Sequence, residues 1–521
     1  MPHLAVAPPA EVLQGIGRCS ATLAPMREPS DAPVTLTGLH LTIDDLLRVA
    51  RARAPVRLHP DAIDRMRASR VVVERAIERD DPVYGLNTGV GINRRVRLDP
   101  STAAAAGSAL LREHRVAQGP PAPPHLVRAT MVILANGFAR GTAGVRPALA
   151  DRLVEALAAS EAPAMRTLGS TGQADLGPLA DLAYELFADH DLAAGEALAL
   201  IDNNAFGTAF SALAVADGHE VADLFDLAGA LSLEAFAANL DHVHPAVALS
   251  RPYPGLQRSL ARIGELLDGS GLREEGSARN LQDPICFRSL PHTNGALHDA
   301  LSFAEAQLGI ELNASQGNPI VVPEEDRLIS VANFDIAPIA QAVDGVRIAV
   351  ATVVTTSCER SLKLLDTTWS GLPTGLASDG RPESLGIGML GVAAQSLAAE
   401  ARTLATPVSY EVVSSSEAEG TEDRITMTPL GARRLAEQVD LSRRVLAIEL
   451  AVAARSLVLR PVSPMGAGTA AALAGIETAL PWIRSGPGEP DVAPLLDAIR
   501  VGLGSRPGTW RLNRDDGVQG P

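Results

Sequence analysis

Gly169-Ser170-Thr171-Gly172-Gln173-Ala174-Asp175-Leu176-Gly177-Pro178-Leu179-Ala180 is the stretch from which the rest of this chain is read. Its first half is a polar, glycine-punctuated loop, its second half is apolar, and Asp175 stands at the junction. A short acceptor side chain just ahead of an apolar run is a helix N-cap. The local expectation is a tight loop feeding a helix that Asp175 caps.

Working outward, the composition favours helices. Hydrophobic residues make up 46% of the 521 residues but aromatics only 3%, with Ala and Leu recurring throughout, a bias toward a mainly α fold. Thr42-Ile43-Asp44-Asp45 sets a capping threonine before two first-turn acids, a helix start. Leu441, Val445, Ile448, Val452 and Leu459 share one helical face. Ile339–Leu365 and Glu383–Leu404 carry apolar residues on more than one face, as helices inside a bundle or between subunits do. The expected organisation is a flexible extension over 1–37, a catalytic-loop region over 38–220, a helical bundle and C-terminal helical region over 221–503, and a tail over 504–521. Val492–Leu503 reads as a short helix.

Charge narrows the partners. The 61 acidic and 45 basic residues leave a net charge of -16, and no Lys/Arg run interrupts the excess, which speaks against nucleic acid or an anionic membrane as partner. Cys19, Cys286 and Cys358 are odd in number and lack metal-ligand spacing, so neither a disulfide framework nor a metal site is expected. With no signal-like start and no apparent membrane span, the expectation is a cytoplasmic protein.

Six further segments carry chemistry. Val83-Tyr84-Gly85-Leu86-Asn87-Thr88-Gly89-Val90-Gly91 sets one phenol among three glycines, a loop able to close over a ligand. Leu110-Leu111-Arg112-Glu113-His114 ends on a histidine. Ala197–Ala209 contains Asp202-Asn203-Asn204. Asn280-Leu281-Gln282-Asp283-Pro284-Ile285-Cys286-Phe287-Arg288 ends on a guanidinium suited to bidentate carboxylate binding. Asn333-Phe334-Asp335 and Thr421-Glu422-Asp423-Arg424-Ile425 complete the set.

Together with the opening stretch, these segments resemble the histidine and aromatic amino acid ammonia-lyases over about Leu39 to Leu459. The resemblance implies their fold, with a long central helical bundle, and homotetramers whose active sites combine residues from several subunits. It also implies a small-molecule substrate and a set of roles. Tyr84 matches the loop base and Glu422 an acid/base or amine-binding group. Arg288 matches the carboxylate clamp, with Gln282 beside it, and Phe334 the aromatic wall. His114 matches a residue that reads the substrate side chain. A phenol with a pKa near 10 must be depressed by a cation or donor to act as base near neutrality.

The departures are as informative as the matches. Where family members carry Ala-Ser-Gly, which cyclises into a methylideneimidazolone electrophile, this chain does not. Counting back from Asp175 puts Gly172-Gln173-Ala174 on the triad, with no hydroxyl to eliminate. Counting forward from Pro163 puts Ser170-Thr171-Gly172 there, with Gln173 and Ala174 inserted and a threonine to dehydrate. Asp202 stands at the asparagine that bonds the cofactor carbonyl, unless a shift of one lets Asn203 serve. Ile285 replaces a tyrosine beside the cofactor. The preferred expectation is no cofactor, with Gln173 and Asp175 facing the vacated place. The enzyme would then perform an elimination, isomerisation or addition on an amino acid or derived carboxylate with a more acidic proton or better leaving group. The alternatives are a modified Ser170-Thr171-Gly172 cofactor and a non-catalytic amino-acid-binding homologue.

Overall fold

The computed structural model describes residues 32–378, 384–410, 417–486 and 489–505, and from Pro33 onward they belong to one compact unit. Five long helices form its body: α1 (Ala205–Phe236), α2 (Leu290–Glu311), α3 (Ala337–Leu365), α4 (Met389–Thr403) and α5 (Thr428–Leu459). The mainly α expectation holds. α1 lies along α5, α5 along α3, and α2 and α4 each flank α3. Small residues permit the close approach: a Cβ on Gly218 would press on Leu301, and one on Gly229 on Leu290, so both α2 leucines nest in α1. Burial on nearly every face of α1 and α5 removes the one-sided amphipathicity of a surface helix.

One polar network fixes how three of these helices register. Glu449 of α5 accepts from Arg360 of α3 at 2.6 Å, from Ser232 of α1 at 2.8 Å and from Ser357 of α3 at 2.5 Å. Both charged side chains are fully buried. Removing either partner would strand a buried charge, which costs about 3–5 kcal/mol.

Three two-stranded sheets pin the periphery. Val34–Leu36 pairs in parallel with Val56–Leu58, while Gln118–Pro121 with Arg166–Leu168, and Ile320–Val322 with Arg327–Ile329, are antiparallel. The second pair anchors Leu168 immediately ahead of the 169–175 loop.

Several boundaries differ from expectation. The supposed extension to residue 37 includes the strand Val34–Leu36, which pairs far along the chain and so gave no local periodicity; residues 1–31 lie outside those described. The boundary at 220/221 falls inside α1, whose continuous burial left no linker to separate regions. The last helix is Ala493–Ser505, so the helix enters the region read as tail, of which 506–521 lie outside those described. Two helical stretches, Glu196–Phe236 and Ala337–Leu365, are long and apolar enough to cross a membrane by composition, contrary to the reading of none. The first is 89% buried inside the protein, so its apolar surface is core.

Candidate active site

The 169–175 loop turns tightly about Gln173. Gly172 has φ +78° and Ala174 φ +59°, and the two pair across the turn. Asp175 does begin the helix Leu176–Phe187, but its carboxylate caps no amide of that helix. Instead it accepts from Ser170 Oγ at 2.6 Å and from the Gly207 N–H at 2.7 Å, and its own N–H donates to the Asn203 carbonyl at 2.8 Å. Complete burial pushes its pKa up to about 6, against the pull of those two donors. Asp175 thus faces the loop's interior, not an open pocket, correcting the expectation that it looks into the vacated place.

The beginnings of α1 and α5 clamp this loop from both sides. The Gly172 carbonyl accepts from Asn204 Nδ2 at 3.1 Å and from Thr426 Oγ1 at 2.8 Å, and the Met427 N–H donates to the Thr171 carbonyl at 2.8 Å. Asn203 is engaged elsewhere: its amide donates to the Ala199 and Leu200 carbonyls and its oxygen accepts from the Ala205 N–H. The amide that reaches the loop therefore comes two residues after Asp202, not one. Neither Asn204 nor Thr426 stood out in the sequence, although three polar residues directly before a buried helix are themselves a signal of an N-terminus.

Tyr84 meets this assembly with its phenol half-buried. Its oxygen accepts from the Gly91 N–H at 3.0 Å, and Arg94 ties the loop down through the Gly91 carbonyl at 3.2 Å, the Ala418 carbonyl at 3.1 Å and Glu419 at 2.9 Å. Burial, together with the negative charges of Asp202 and Glu422, raises the Tyr84 pKa; Gly91 and Arg94 only oppose it. A depressed phenol was expected from the cation and donor nearby, but burial, aided by the two carboxylates, outweighs them. Asp202, at the end of the short helix Glu196–Ile201, is 8% exposed. Burial and then Glu422 push its pKa up to about 7. Glu422 itself is exposed.

On the other side of the loop, Gln173 Nε2 stands 3.5 Å from Asp335 Oδ2, which accepts from Arg424 at 3.0 Å. Phe334, the preceding residue, is half-buried. Among the described residues, no donor reaches the buried amide oxygens of Gln173 and Asn204. Acceptors therefore dominate the surroundings of Tyr84 and the loop, an arrangement suited to a cation and unsuited to an oxyanion.

The remaining candidates have local partners. Arg288 Nε donates to the Asp283 carbonyl at 2.8 Å, Gln282 is exposed, and His114 Nδ1 lies 2.9 Å from the Leu110 carbonyl. Ser170 and Thr171 are held as described, Ser170 also accepting from the Gly172 N–H at 3.1 Å. No hydrogen bond or ion pair among the described residues joins Arg288, Gln282 or His114 to Tyr84, Asp202 or Glu422. Among the described residues one group could offer ligands to a metal, Asp223, Asp226 and His298. Asp226 there already accepts from Ser259, Asn294 and His298, as a satisfied core network does.

The comparisons agree with this architecture. A family model for aromatic amino acid lyase matches residues 41–478. Histidine ammonia-lyase of Gloeobacter violaceus is 33% identical over 478 residues, covering 87% of this chain and 92% of that protein, and the enzyme of Alkaliphilus metalliredigens is 31% identical over 460 residues, covering 84% and 90%. Among solved structures, the ergothioneine-degrading ergothionase of Treponema denticola, in complex with desmethyl-ergothioneine sulfonic acid, superposes with a TM-score of 0.85 at 26% identity, covering 91% of this chain and 99% of that one. Histidine ammonia-lyase from Trypanosoma cruzi gives 0.81 at 26% identity, covering 91% and 94%. With the fold, the loop clamped by α1 and α5 and the long match in agreement, the chain belongs to the aromatic amino acid lyase family and is an enzyme of it.

Proposed function

We propose that this enzyme eliminates a tertiary amine from an α-trialkylammonio carboxylate, leaving the α,β-unsaturated acid, without a methylideneimidazolone. Family members act on amino acids, and a free amino group is a poor leaving group that an electrophile must activate. A quaternary ammonium already leaves as a neutral amine. One observation carries the reading: beside Tyr84 stand Asp202 and Glu422, so the place next to the base is acidic and acceptor-lined. Likeness to the ergothionase supports it, since ergothioneine is a trimethylammonium betaine. The positive φ of Ala174, a conformation glycine takes readily, favours Gly172-Gln173-Ala174 as the triad, and that triad has no serine.

In this reading Asp202 and Glu422 hold the cation, whose charge in turn lowers the pKa of Tyr84 toward that of a usable base. Tyr84 phenolate removes the β-proton, the C–H pair becomes the Cα=Cβ bond, and the C–N pair departs with the amine. Arg288 and Gln282 bind the carboxylate from another subunit of a cytoplasmic homotetramer, with Phe334 and His114 facing the side chain. Intact mass with turnover tests the whole. The expected result is the unmodified chain mass and tertiary amine released from the betaines of histidine or its aromatic analogues, lost in Tyr84→Phe. A mass two waters lighter, with ammonia released from free amino acids, would replace this reading by the modified-cofactor one. Ligand binding with no turnover of either class would favour the binding homologue.

A further inference from the structure

Behind Tyr84 lies a cavity of about 60 Å³, bounded by Ile133, Leu134, Gly137 and Phe138 of the helix Pro124–Ala139 and by Leu198. No charged side chain lines it, although Asp202, Glu422 and Arg94 all act on the same tyrosine. Its polar neighbours are engaged already. Thr142 and Ser315 bond each other at 2.6 Å, Gln316 donates to Thr208 and Glu311, and Asn318 accepts from the Val331 N–H. Asn203 is held by its own helix. The Tyr84 hydroxyl, whose oxygen accepts from Gly91, has no acceptor for its proton among the described residues.

A space of this kind selects its ligand by exclusion. A charge would be desolvated there with no charged partner, and a molecule that needs several strong hydrogen bonds would meet a mostly apolar wall. At roughly 10–15 Å³ for each water-sized group, the cavity holds about four to six non-hydrogen atoms. We propose that it receives the uncharged tertiary amine released at Tyr84, with the phenol donating to the amine nitrogen; this rests on the elimination proposed above. The chamber answers a difficulty of that chemistry. An amine that took up a proton beside Asp202 and Glu422 would become a cation held where the substrate binds. Leaving the acidic side as a neutral base avoids that trap.

Gly137 supplies the test, because a Cβ there meets nothing within 4 Å. Trimethylamine, titrated by calorimetry at a pH where most of it is uncharged, should bind the wild-type protein. Binding should weaken at least tenfold in Gly137→Met, and likewise in Leu328→Phe on the opposite wall, but by less than twofold in Gly137→Ala and in Asp202→Asn. Tetramethylammonium, a fixed cation of the same shape, should show the reverse, weakened by Asp202→Asn and indifferent to Gly137→Met. Absence of amine binding, or binding that tracks Asp202 and ignores both filling variants, would overturn the chamber. No turnover enters these measurements, so failure of the elimination reading would appear separately, as betaines left unconverted.

Discussion

At the scale of single residues, pH acts on turnover through Asp202 and Tyr84 and on stability through Asp175. In the proposed elimination Asp202 must be ionised to hold a cation, and Tyr84, raised in the free protein by burial and then by that same charge, must lose its proton to act. Because kcat/KM reports the free enzyme and kcat the complex, kcat/KM should rise through about pH 7 with Asp202 and again in the alkaline range with Tyr84. The kcat limb should lie at lower pH, since the bound cation offsets both carboxylates. Asp202→Asn should remove the step near neutrality and raise KM about tenfold, about 1.4 kcal/mol of lost attraction. A kcat limb more alkaline than that of kcat/KM would contradict a cationic substrate. Asp175 acts on stability instead. Its folded pKa, about 6, lies above the ordinary 3.8, so the native state binds the proton more tightly. Its contribution is fully present below pH 3.8 and is lost as pH rises through 6. Roughly 3 kcal/mol should disappear over that window, at 1.36 kcal/mol per pKa unit. Asp175→Asn can still accept from Gly207 and donate to Ser170, so denaturation of this variant should show a flatter profile between pH 4 and 6. The sequence made Tyr84, Asp202 and Glu422 legible as types. It did not reveal that burial and charge would raise the phenol, because that depends on which groups three separate segments bring together.

Individual elements decide which small residues are structural. Gly172 and Gly137 look alike in the sequence, yet Gly→Ala should have opposite signs at the two positions. At Gly172 the backbone is left-handed and a Cβ would overlap the Thr426 hydroxyl and meet the Thr428 nitrogen at 2.9 Å, so the clamp of α5 on the loop would be displaced. A loss of about 1–2 kcal/mol is expected from the conformational term alone, together with loss of turnover. At Gly137, inside a helix with open space, alanine should stabilise by up to about 1 kcal/mol. Thermal melts of the two variants check the pair, and equal shifts would show that the loop is not held as described. The helices themselves were readable wherever apolar spacing was regular, as in α5. Strands of three residues such as Val34–Leu36 were not, since their partners lie at a distance and too few residues alternate to show a period of two.

The whole molecule raises the question of where the carboxylate clamp enters. One chain assembles the proposed base, the acidic pair and the altered loop, but among the described residues Arg288 hydrogen-bonds only within its own turn, with Leu281, Gln282 and Ile285 on the surface around it. α2, α3 and α4 also expose Phe303, Ile310, Ile348, Met389 and Val392, apolar residues that a lone bundle would be expected to bury. The sequence pattern, apolar on more than one face, fitted burial inside a bundle as well as burial between subunits. A homotetramer in which Arg288 of one subunit completes the Tyr84 site of another accounts for both observations. Such sharing has a consequence that a monomer site does not. Tyr84→Phe chains and Arg288→Ala chains should each be inactive alone, yet when co-expressed they should form mixed oligomers with some intact sites. Each intact site needs Tyr84 from an Arg288→Ala chain and Arg288 from a Tyr84→Phe chain, so random assortment gives about one quarter of wild-type activity. Placing both substitutions in one chain and co-expressing it with a Tyr84→Phe chain controls for expression, because no pairing can then supply an intact Tyr84. Recovery in the first mixture and none in the second fits a shared site. No recovery in the first, from oligomers shown by light scattering to be mixed, would require Arg288 and Tyr84 to act within one chain, and the carboxylate clamp would have to be sought elsewhere.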